Sequence, residues 1–274
     1  MTEEVDIKGL PGLVATVNLT GTIEAACAEA LSHVRSFCDR NDWHAVEYKT
    51  FYAVLVEAGR DAVVQWALDN DYSWLIMIDG DAAPIPAQLV PYLVNKIFVE
   101  FPQADVIGAY CQLKGPPHAP TIDTGTGTWE VHYPNSGTME VIRTGAHAFI
   151  AKTSAYKRFG PPWYKTRIGE TPAKAFAEVD NFARCKLDGR NPLTKHPEWT
   201  TLMSEAIQAA GGLPMPVGED SAFCDALRAH GGRIYVDTDI VVGHIDRRII
   251  KPSDLRDAIN ERQKRVRLAC GLLT

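Results

Sequence analysis

Short apolar runs alternate with helical stripes through the first 80 residues of the chain. Three of the runs have the length of buried strands, and two intervening segments carry apolar residues at the 3.6-residue spacing of helices. In chain order, the predicted elements are a strand at Leu13–Val17, a helix with its apolar stripe from Ile23 to Cys38, a strand at Ala45–Phe51, a helix at Arg60–Asn70 and a strand at Trp74–Ile78. This order is typical of α/β proteins, so we expect a mixed, mainly parallel sheet flanked by helices.

Two acidic residues directly follow the third of these strands. The apolar run ends in Asp79-Gly80-Asp81, and Pro84 and Pro86 then stop any further strand. Residues two apart in an extended chain point to the same side, and open α/β sheets bind ligands beyond the carboxyl ends of their strands. Carboxylates suit Mg²⁺ or Mn²⁺, which also bind substrate phosphates. We therefore predict a divalent metal site at Asp79 and Asp81, with Gly80 leaving room for a bulky group.

The remaining chain continues the α/β pattern but contains two long segments without clear periodicity. Further strands are predicted at Val106–Tyr110, Val141–Ala151, Arg233–Asp237 and Ile240–Val242, and further helices at Ala87–Phe98, Glu219–His230 and from Ser253 to about residue 269. Residues 113–140 are rich in Gly, Pro and Thr, and residues 165–217 contain many Pro, Lys and Glu. Long loops in compact domains often bind ligands or act as lids. We expect these two segments to form a loop-rich acceptor region.

Composition and charge indicate the setting in which the protein acts. The 274 residues carry a net charge of −6, which argues against a broad nucleic-acid-binding surface. The six cysteines form no CxxC pair and are expected to be reduced and mostly buried; they are Cys27, Cys38, Cys111, Cys185, Cys224 and Cys270. We see neither a signal peptide nor an apolar run of the roughly 18 residues that a membrane span needs. We expect a cytoplasmic location, which includes peripheral membrane attachment and, for a phage-encoded protein, the host cytoplasm.

The C-terminal segment is locally basic. Asp246–Arg267 holds eight Arg or Lys against four Asp or Glu, and Leu255, Ile259 and Val266 are spaced as one face of a helix. A solvated helix docked on the protein body is the simplest interpretation. The alternative is a surface for an anionic acceptor, either nucleic acid or a lipid-linked molecule at an anionic membrane.

Four short motifs, in a fixed order, resemble those of the GT-A glycosyltransferases, in particular the family 2-like enzymes that contain a DxD motif. The motifs are Asp79-Gly80-Asp81, Thr144-Gly145, Gly218-Glu219-Asp220 and Gly243-His244. The resemblance covers roughly residues 10–245. It implies a single GT-A (Rossmann-like) domain over residues 1–274, with a nucleotide-sugar-binding half at 10–110, an acceptor and catalytic half at 111–245 and a basic C-terminal helix at 246–274.

The resemblance implies a metal-dependent transfer of sugar from a nucleotide-sugar, by family preference a UDP-sugar. Asp81 would hold a metal that bridges the two phosphates, and Asp79 would contact the ribose or a water on the metal. His244 would be a further ligand, which favours Mn²⁺ over Mg²⁺ because imidazole suits Mn²⁺ better.

The other motif residues would complete the donor site and the catalytic site. Asp220, or Glu219 in its place, would deprotonate the acceptor hydroxyl in an inverting transfer. Arg60 would face the nucleotide or its phosphates, and Thr144 and Gly145 would line the donor site. The acceptor is left open as a glycan, a small molecule, a protein or nucleic acid, including modified phage DNA.

Several of these residues also have a purely structural interpretation. Glu219 and Asp220 open a predicted helix, where acidic side chains are favourable without any catalytic role. His244 and His147 could be hydrogen-bonded structural histidines. The aromatic pair Trp163-Tyr164 could stack on a sugar or belong to the core.

Three other functions would use some of the same features. A nucleotidyltransferase would also need an acidic metal site, although it usually has a Gly-rich phosphate loop near the first strand. A HAD-type phosphatase has two aspartates after an apolar strand, but in a DxDxT/V motif, whereas position 83 is alanine here. A non-catalytic carbohydrate- or partner-binding module would need neither Asp220 nor His244 near Asp81.

Overall fold

The computed structural model describes residues 6–18, 23–53, 55–112, 121–125, 136–165, 167–168, 216–246 and 248–250. The chain divides into two compact units. The first comprises Met1–Lys165 with Glu219–Thr274, and the second is Thr166–Gly218. Every candidate site residue lies in the first unit.

The described chain contains thirteen strands and five α-helices. The strands are β1 (Gly12–Asn18), β2 (Val46–Tyr52), β3 (Trp74–Asp79), β4 (Val106–Tyr110), β5 (Ile122–Asp123), β6 (Thr138–Val141), β7 (Arg143–Thr144), β8 (Ala148–Lys152), β9 (Arg167–Ile168), β10 (Pro216–Val217), β11 (Ile234–Val241), β12 (His244–Asp246) and β13 (Arg248–Ile250). The helices are α1 (Ala25–Arg40), α2 (Val56–Asp69), α3 (Leu89–Asn95), α4 (Thr153–Tyr156) and α5 (Glu219–Ala229), and a π-helical turn at Lys96–Glu100 extends α3.

Seven strands form one mixed sheet in the order β2-β1-β3-β8-β4-β11-β6. Strands β1, β2 and β3 are mutually parallel, and β11 is parallel to β4. Strand β8 is inserted antiparallel between β3 and β4, and β6 is antiparallel to β11 at one edge. The expected α/β fold, with a mixed and mostly parallel sheet flanked by helices, is confirmed. In the second unit, β9 and β10 form an antiparallel pair.

Strand β3 shows why the sheet is covered on both faces. Its side chains alternate, as the period of a strand requires: Leu75 and Met77 belong to one buried cluster, and Trp74, Ile76 and Ile78 belong to the other. Helices α2, α4 and α5 contribute to the first cluster, and α1 and α3 to the second. Each buried apolar side chain of this size contributes about 1.5–3 kcal/mol, so burial on both faces strongly stabilises β3 within the sheet.

The structure corrects three sequence predictions. Helix α2 begins at Val56 rather than at Arg60. The single strand predicted over Val141–Ala151 is divided, because the chain changes partners: β6 pairs with β11, β7 with β5, and β8 with β3 and β4. The two strands predicted on either side of position 239 are one strand, β11, with an irregularity between Asp237 and Val241.

The C-terminal prediction is partly wrong and partly outside the described residues. The basic helix was expected from residue 246, but β12 and β13 form an antiparallel pair there. Residues 251–274 lie outside the described residues, as do most of the two predicted acceptor loops. The division into a donor half and an acceptor half stays a prediction. Within the described ranges, no helix has the length and apolar character needed to cross a membrane.

Candidate active site

The two motif aspartates lie at the carboxyl end of a central strand. Asp79 is the last residue of β3, and Asp81 follows it by two positions. The glycine between them is required by packing, because a Cβ at Gly80 would lie 2.3 Å from the side-chain oxygen of Asn18. Asn18 is buried at the end of the neighbouring strand β1. The space at Gly80 is therefore filled by Asn18, and not left for a ligand as the sequence suggested.

A late segment of the chain is hydrogen-bonded to this turn through its backbone. Ala83 N–H donates to the carbonyl of Gly243 (3.0 Å), and Gly243 N–H donates to the carbonyl of Pro84 (3.0 Å). Ile245 N–H donates to the carbonyl of Asp81 (2.8 Å). A Cβ at Gly243 would lie 2.3 Å from the carbonyl oxygen of Ala83, so this close approach requires glycine. The backbone of residues 243–245 is thus fixed against the aspartate turn.

This pairing brings His244 to the aspartates. Its Nε2 atom lies 3.7 Å from Oδ1 of Asp81. Its other ring nitrogen, Nδ1, is 2.9 Å from the carbonyl oxygen of Gln112 and must donate, because a carbonyl only accepts. Hydrogen bonding of one nitrogen fixes the ring orientation and, in the neutral ring, leaves the other as a metal ligand.

A second histidine, His147, lies in the same cluster, although the sequence favoured a structural role for it. Its Nδ1 atom is 3.4 Å from Oδ2 of Asp79 and 3.9 Å from Oδ1 of Asp81. Its Nε2 atom donates to the carbonyl of Gly243 at 2.9 Å. The rings of His147 and His244 are in contact, with centroids 3.7 Å apart. His147 directly precedes β8, whose antiparallel direction places that end at the carboxyl edge of β3, and this direction is not visible in the sequence.

Arg60 is buried between two acidic residues. Its guanidinium donates to Oδ1 of Asp79 at 2.9 Å and to a carboxylate oxygen of Glu219. Only 3% of Arg60 is exposed. Burial alone would raise the pKa of Asp79, but it is outweighed, chiefly by the positive charge of Arg60, and this pKa is lowered to about 2. Arg60 therefore orients and neutralises carboxylates instead of extending toward solvent.

The two acidic residues that open α5 have different surroundings. Burial raises the pKa of Glu219, although its contact with Arg60 opposes this. Asp220 is half-buried, and its Oδ1 accepts a hydrogen bond from the N–H of Ser221 at 2.6 Å. Arg60 contacts Glu219 and not Asp220, so Asp220 is the member of the pair outside this ion-pair network.

The other predicted donor-site residues are held by internal packing. Thr144 is buried, and its carbonyl accepts a weak hydrogen bond from the thiol of Cys224. Gly145 donates its N–H to the carbonyl of Thr121 at 3.1 Å, and a Cβ on it would lie 2.8 Å from the Thr121 side chain. No described contact joins either residue to the aspartate cluster.

The aromatic pair Trp163-Tyr164 belongs to the core and does not form an exposed platform. The two residues are 5% and 1% exposed. Both of their backbone N–H groups donate to Oδ1 of Asp61, at 3.0 and 2.9 Å. Asp61 therefore fixes the backbone of this aromatic segment.

The donor atoms of the cluster fit a divalent cation. One potential ligand atom from each of Asp79, Asp81 and His147 lies within 4.8 Å of the others, and the same holds for Cys111, His147 and His244. Carboxylate oxygens with imidazole nitrogens suit Mn²⁺ and related ions. Burial would raise the pKa of the Cys111 thiol, but the two adjacent imidazoles lower it to about 7. The cluster therefore combines hard oxygen donors on one side with a softer sulfur donor on the other.

Sequence comparisons give no family assignment, whereas structural comparisons give a shared fold. No family model matches the sequence, and no curated protein matches it significantly. Among solved structures, A197 from STIV matches with a TM-score of 0.50 and 16% identity, over 88% of this chain and 91% of that one. This likeness concerns the fold.

Two further solved structures are similar at lower scores. A glycosyltransferase involved in glycosylation of the major capsid of PBCV-1 matches with a TM-score of 0.33 and 12% identity, over 56% of this chain and 69% of that one. Glucosyl-3-phosphoglycerate synthase from Mycobacterium tuberculosis, solved with Mn²⁺, UDP-glucose and phosphoglyceric acid, matches with a TM-score of 0.37 and 12% identity, over 76% and 82%. The structural neighbours thus include glycosyltransferases, all at low identity.

Proposed function

We propose that this protein is a metal-dependent glycosyltransferase that moves a sugar from a nucleotide-sugar, a UDP-sugar in the first instance, to an acceptor hydroxyl. The observation that carries the proposal is the position of His244, whose Nε2 lies 3.7 Å from Oδ1 of Asp81, two residues after Asp79 at the carboxyl end of β3. These residues come from the two motifs that the GT-A resemblance assigns to the metal. Their proximity depends on a fold-back of residues 243–245 that the local sequence does not specify.

The charges of the site suit a diphosphate donor. Asp79, Asp81 and His244 would hold the metal, which would supply positive charge for the leaving diphosphate. Arg60 neutralises Asp79 and Glu219 and keeps both carboxylates in place. In this arrangement Arg60 acts as a positioning residue, and its expected contact with the nucleotide becomes indirect.

Asp220 is the proposed general base. It would accept the proton of the acceptor hydroxyl as that oxygen bonds to the anomeric carbon and the bond from this carbon to the diphosphate breaks. Such proton transfer typically contributes 10²–10⁴-fold. Glu219 is a poorer candidate, because it is engaged by the Arg60 guanidinium. The role of Asp220 implies inversion at the anomeric carbon.

A donor screen tests the proposal. Thermal unfolding is measured with each of several nucleotide-sugars, with and without Mn²⁺, and the released nucleoside diphosphate is then quantified. UDP-sugars with Mn²⁺ should raise the unfolding temperature, because a ligand that binds only the folded state stabilises it. Failure of every nucleotide-sugar, together with turnover of a phosphate ester, would refute a glycosyltransferase and favour a phosphatase.

Two substitutions separate donor binding from transfer. Asp81→Asn should abolish the metal-dependent shift, whereas Asp220→Asn should keep it and stop transfer. Asp42→Asn is the matched control, because Asp42 is exposed and has a positive φ of 62° that asparagine tolerates. Retained transfer in Asp220→Asn would rule out its role as base.

The acceptor and the location of the protein belong to the same proposal. A glycan or small-molecule acceptor would be recognised by residues 113–140 and 165–217, and an anionic acceptor by the basic C-terminal segment. The cytoplasm remains the predicted location.

A further inference from the structure

We propose that His147 is a metal ligand, so that the centre consists of two carboxylates and two imidazoles and selects Mn²⁺-like transition-metal ions over Mg²⁺. This inference rests on the proposed metal-dependent function and extends it. The sequence motifs assign the metal only to Asp79, Asp81 and His244, and treat His147 as structural. The geometry around His147 points to a more specific role.

Each of the two histidine rings is oriented by a hydrogen bond from one of its nitrogens to a backbone carbonyl. Nε2 of His147 donates to the carbonyl of Gly243, and Nδ1 of His244 donates to the carbonyl of Gln112, each at 2.9 Å. A carbonyl cannot donate in return, so each of these nitrogens carries the proton. In the neutral rings, the opposite nitrogens therefore present lone pairs. Metal-binding histidines almost always donate their second nitrogen to such an acceptor.

The two lone pairs converge on one carboxylate oxygen. Oδ1 of Asp81 is 3.9 Å from Nδ1 of His147 and 3.7 Å from Nε2 of His244. Oδ2 of Asp79 is 3.4 Å from Nδ1 of His147. Donors about 2.1 Å from one ion are about 3 Å apart at a right angle and about 4.2 Å apart across it. These three separations lie between those values, and Asp79, Asp81 and His147 each place one ligand atom within 4.8 Å of the others, a spacing that suits donors to one ion.

The charges around the cluster also match a dication. One guanidinium, that of Arg60, faces the carboxylates of Asp79 and Glu219, and Asp81 adds a third carboxylate. The side chains of Asp79 and Asp81 are 25% and 30% exposed, so both carboxylates lie in a partly buried site. A divalent cation would place positive charge beside both carboxylates, and buried charges are stabilised by such pairing.

The competing interpretation makes His147 an imidazolium that forms an ion pair with Asp79. The two interpretations predict opposite effects of removing the ring. A ligand contributes to metal affinity, so its loss lowers that affinity. A fixed positive charge repels the cation and occupies Asp79, so its loss raises the affinity.

Metal affinity measured directly in the full-length protein distinguishes these cases. Mn²⁺ and Mg²⁺ are titrated into the wild type, His147→Leu and the exposed control His33→Gln, with free Mn²⁺ followed by electron paramagnetic resonance and Mg²⁺ by competition. Loss of groups that merely support a ligand costs about 10–100-fold in metal affinity. We therefore expect His147→Leu to lose at least about tenfold in Mn²⁺ affinity, with a smaller loss for Mg²⁺, and His33→Gln to match the wild type. Unchanged or increased Mn²⁺ affinity in His147→Leu would overturn the proposal.

A second measurement needs no substitution at His147 and so does not depend on the folding of that variant. Pulsed electron paramagnetic resonance of Mn²⁺ bound to wild-type protein, with and without ¹⁵N-labelled histidine, counts the coordinated imidazole nitrogens. Two nitrogens support the proposal, and one or none overturns it. Bound Mn²⁺ with a single nitrogen leaves the proposed function intact, whereas a wild-type protein that binds no Mn²⁺ refutes the metal dependence of that function as well.

Discussion

Replacement of Arg60 by methionine gives the sharpest test of how the site is held together. Arg60 is 3% exposed and neutralises Asp79 and Glu219 simultaneously. The Asp79 side chain is 25% exposed, and its pKa falls from 3.8 to about 2, against the effect of burial and chiefly through the charge of Arg60. At about 1.4 kcal/mol per pKa unit, this shift of a little under two units corresponds to about 2–3 kcal/mol. Glu219 loses its partner as well.

Arg60→Met should therefore lower the free energy of unfolding by about 3–5 kcal/mol, the usual cost of removing one partner from a buried ion pair. The loss is measured by urea denaturation at pH 7 in EDTA, with circular dichroism as the signal. Arg40→Met serves as the control, because Arg40 is exposed and its Nε atom donates only to the carbonyl of Ser36 among its described contacts. Addition of Glu219→Gln should recover part of the loss, since it removes one of the uncompensated charges.

Mn²⁺ should recover more stability in Arg60→Met than in the wild type, because the cation replaces part of the missing positive charge. A loss below about 1 kcal/mol, in the range of exposed ion pairs, would refute the interpretation of Arg60 as the central neutralising charge. An equal loss in Arg40→Met would refute it too.

Four further predictions follow from individual contacts. Gly80→Ala should destabilise the protein by about 1–3 kcal/mol through overpacking against Asn18, and urea denaturation of the double variant with Asn18→Ala should show a less than additive loss. Gly243→Ala should lower the free energy of unfolding more than Gly80→Ala does, because its Cβ meets the backbone of Ala83. Gly160→Ala is the control: no atom lies within 4 Å of its Cβ, so its thermal stability should change little. In metal-free protein, Asp79 should contribute fully to the free energy of unfolding above its unfolded pKa of 3.8. This contribution should be lost as the pH falls toward 2. The free energy of unfolding of Asp79→Asn, measured by acid denaturation, should therefore lack this pH-dependent loss. Burial raises the pKa of Cys27 and Cys224 to about 12, so both should resist iodoacetamide at pH 8 until the protein is unfolded, as mass spectrometry would show.

The first half of the fold could be predicted closely because its signals are local. Strands β1, β2 and β3 lie within one residue of their predicted ends, and the aspartates follow β3 as expected. Periodic burial and strand breakers act over a few residues, so one sequence contains them. Helix α2 was predicted to start too late, since its first turn contains Glu57-Ala58-Gly59, which has no strong apolar spacing.

The second half depends on partners that no local pattern specifies. The antiparallel insertion of β8 between β3 and β4 brings His147 to the site, and a histidine before a strand carries no mark of that strand's direction. The contact between positions 81 and 244 arises from backbone hydrogen bonds, which any sequence can form. By contrast, the glycine that permits the approach, Gly243, was visible in the sequence and belonged to a recognised motif.

Through the carbonyl of Gly243, the arrangement of the whole centre depends on one late segment of the chain. It accepts hydrogen bonds from both Ala83 N–H and the ring of His147. During synthesis, a nascent chain whose residue 243 has not yet left the ribosome has the acidic pair but lacks the carbonyl that accepts from the ring of His147. Proteolysis or a premature stop just before this residue would have the same effect. Such a fragment should retain much of the parallel sheet. It would lack His244 and the carbonyl that orients His147. The centre is therefore completed in a single late step of synthesis.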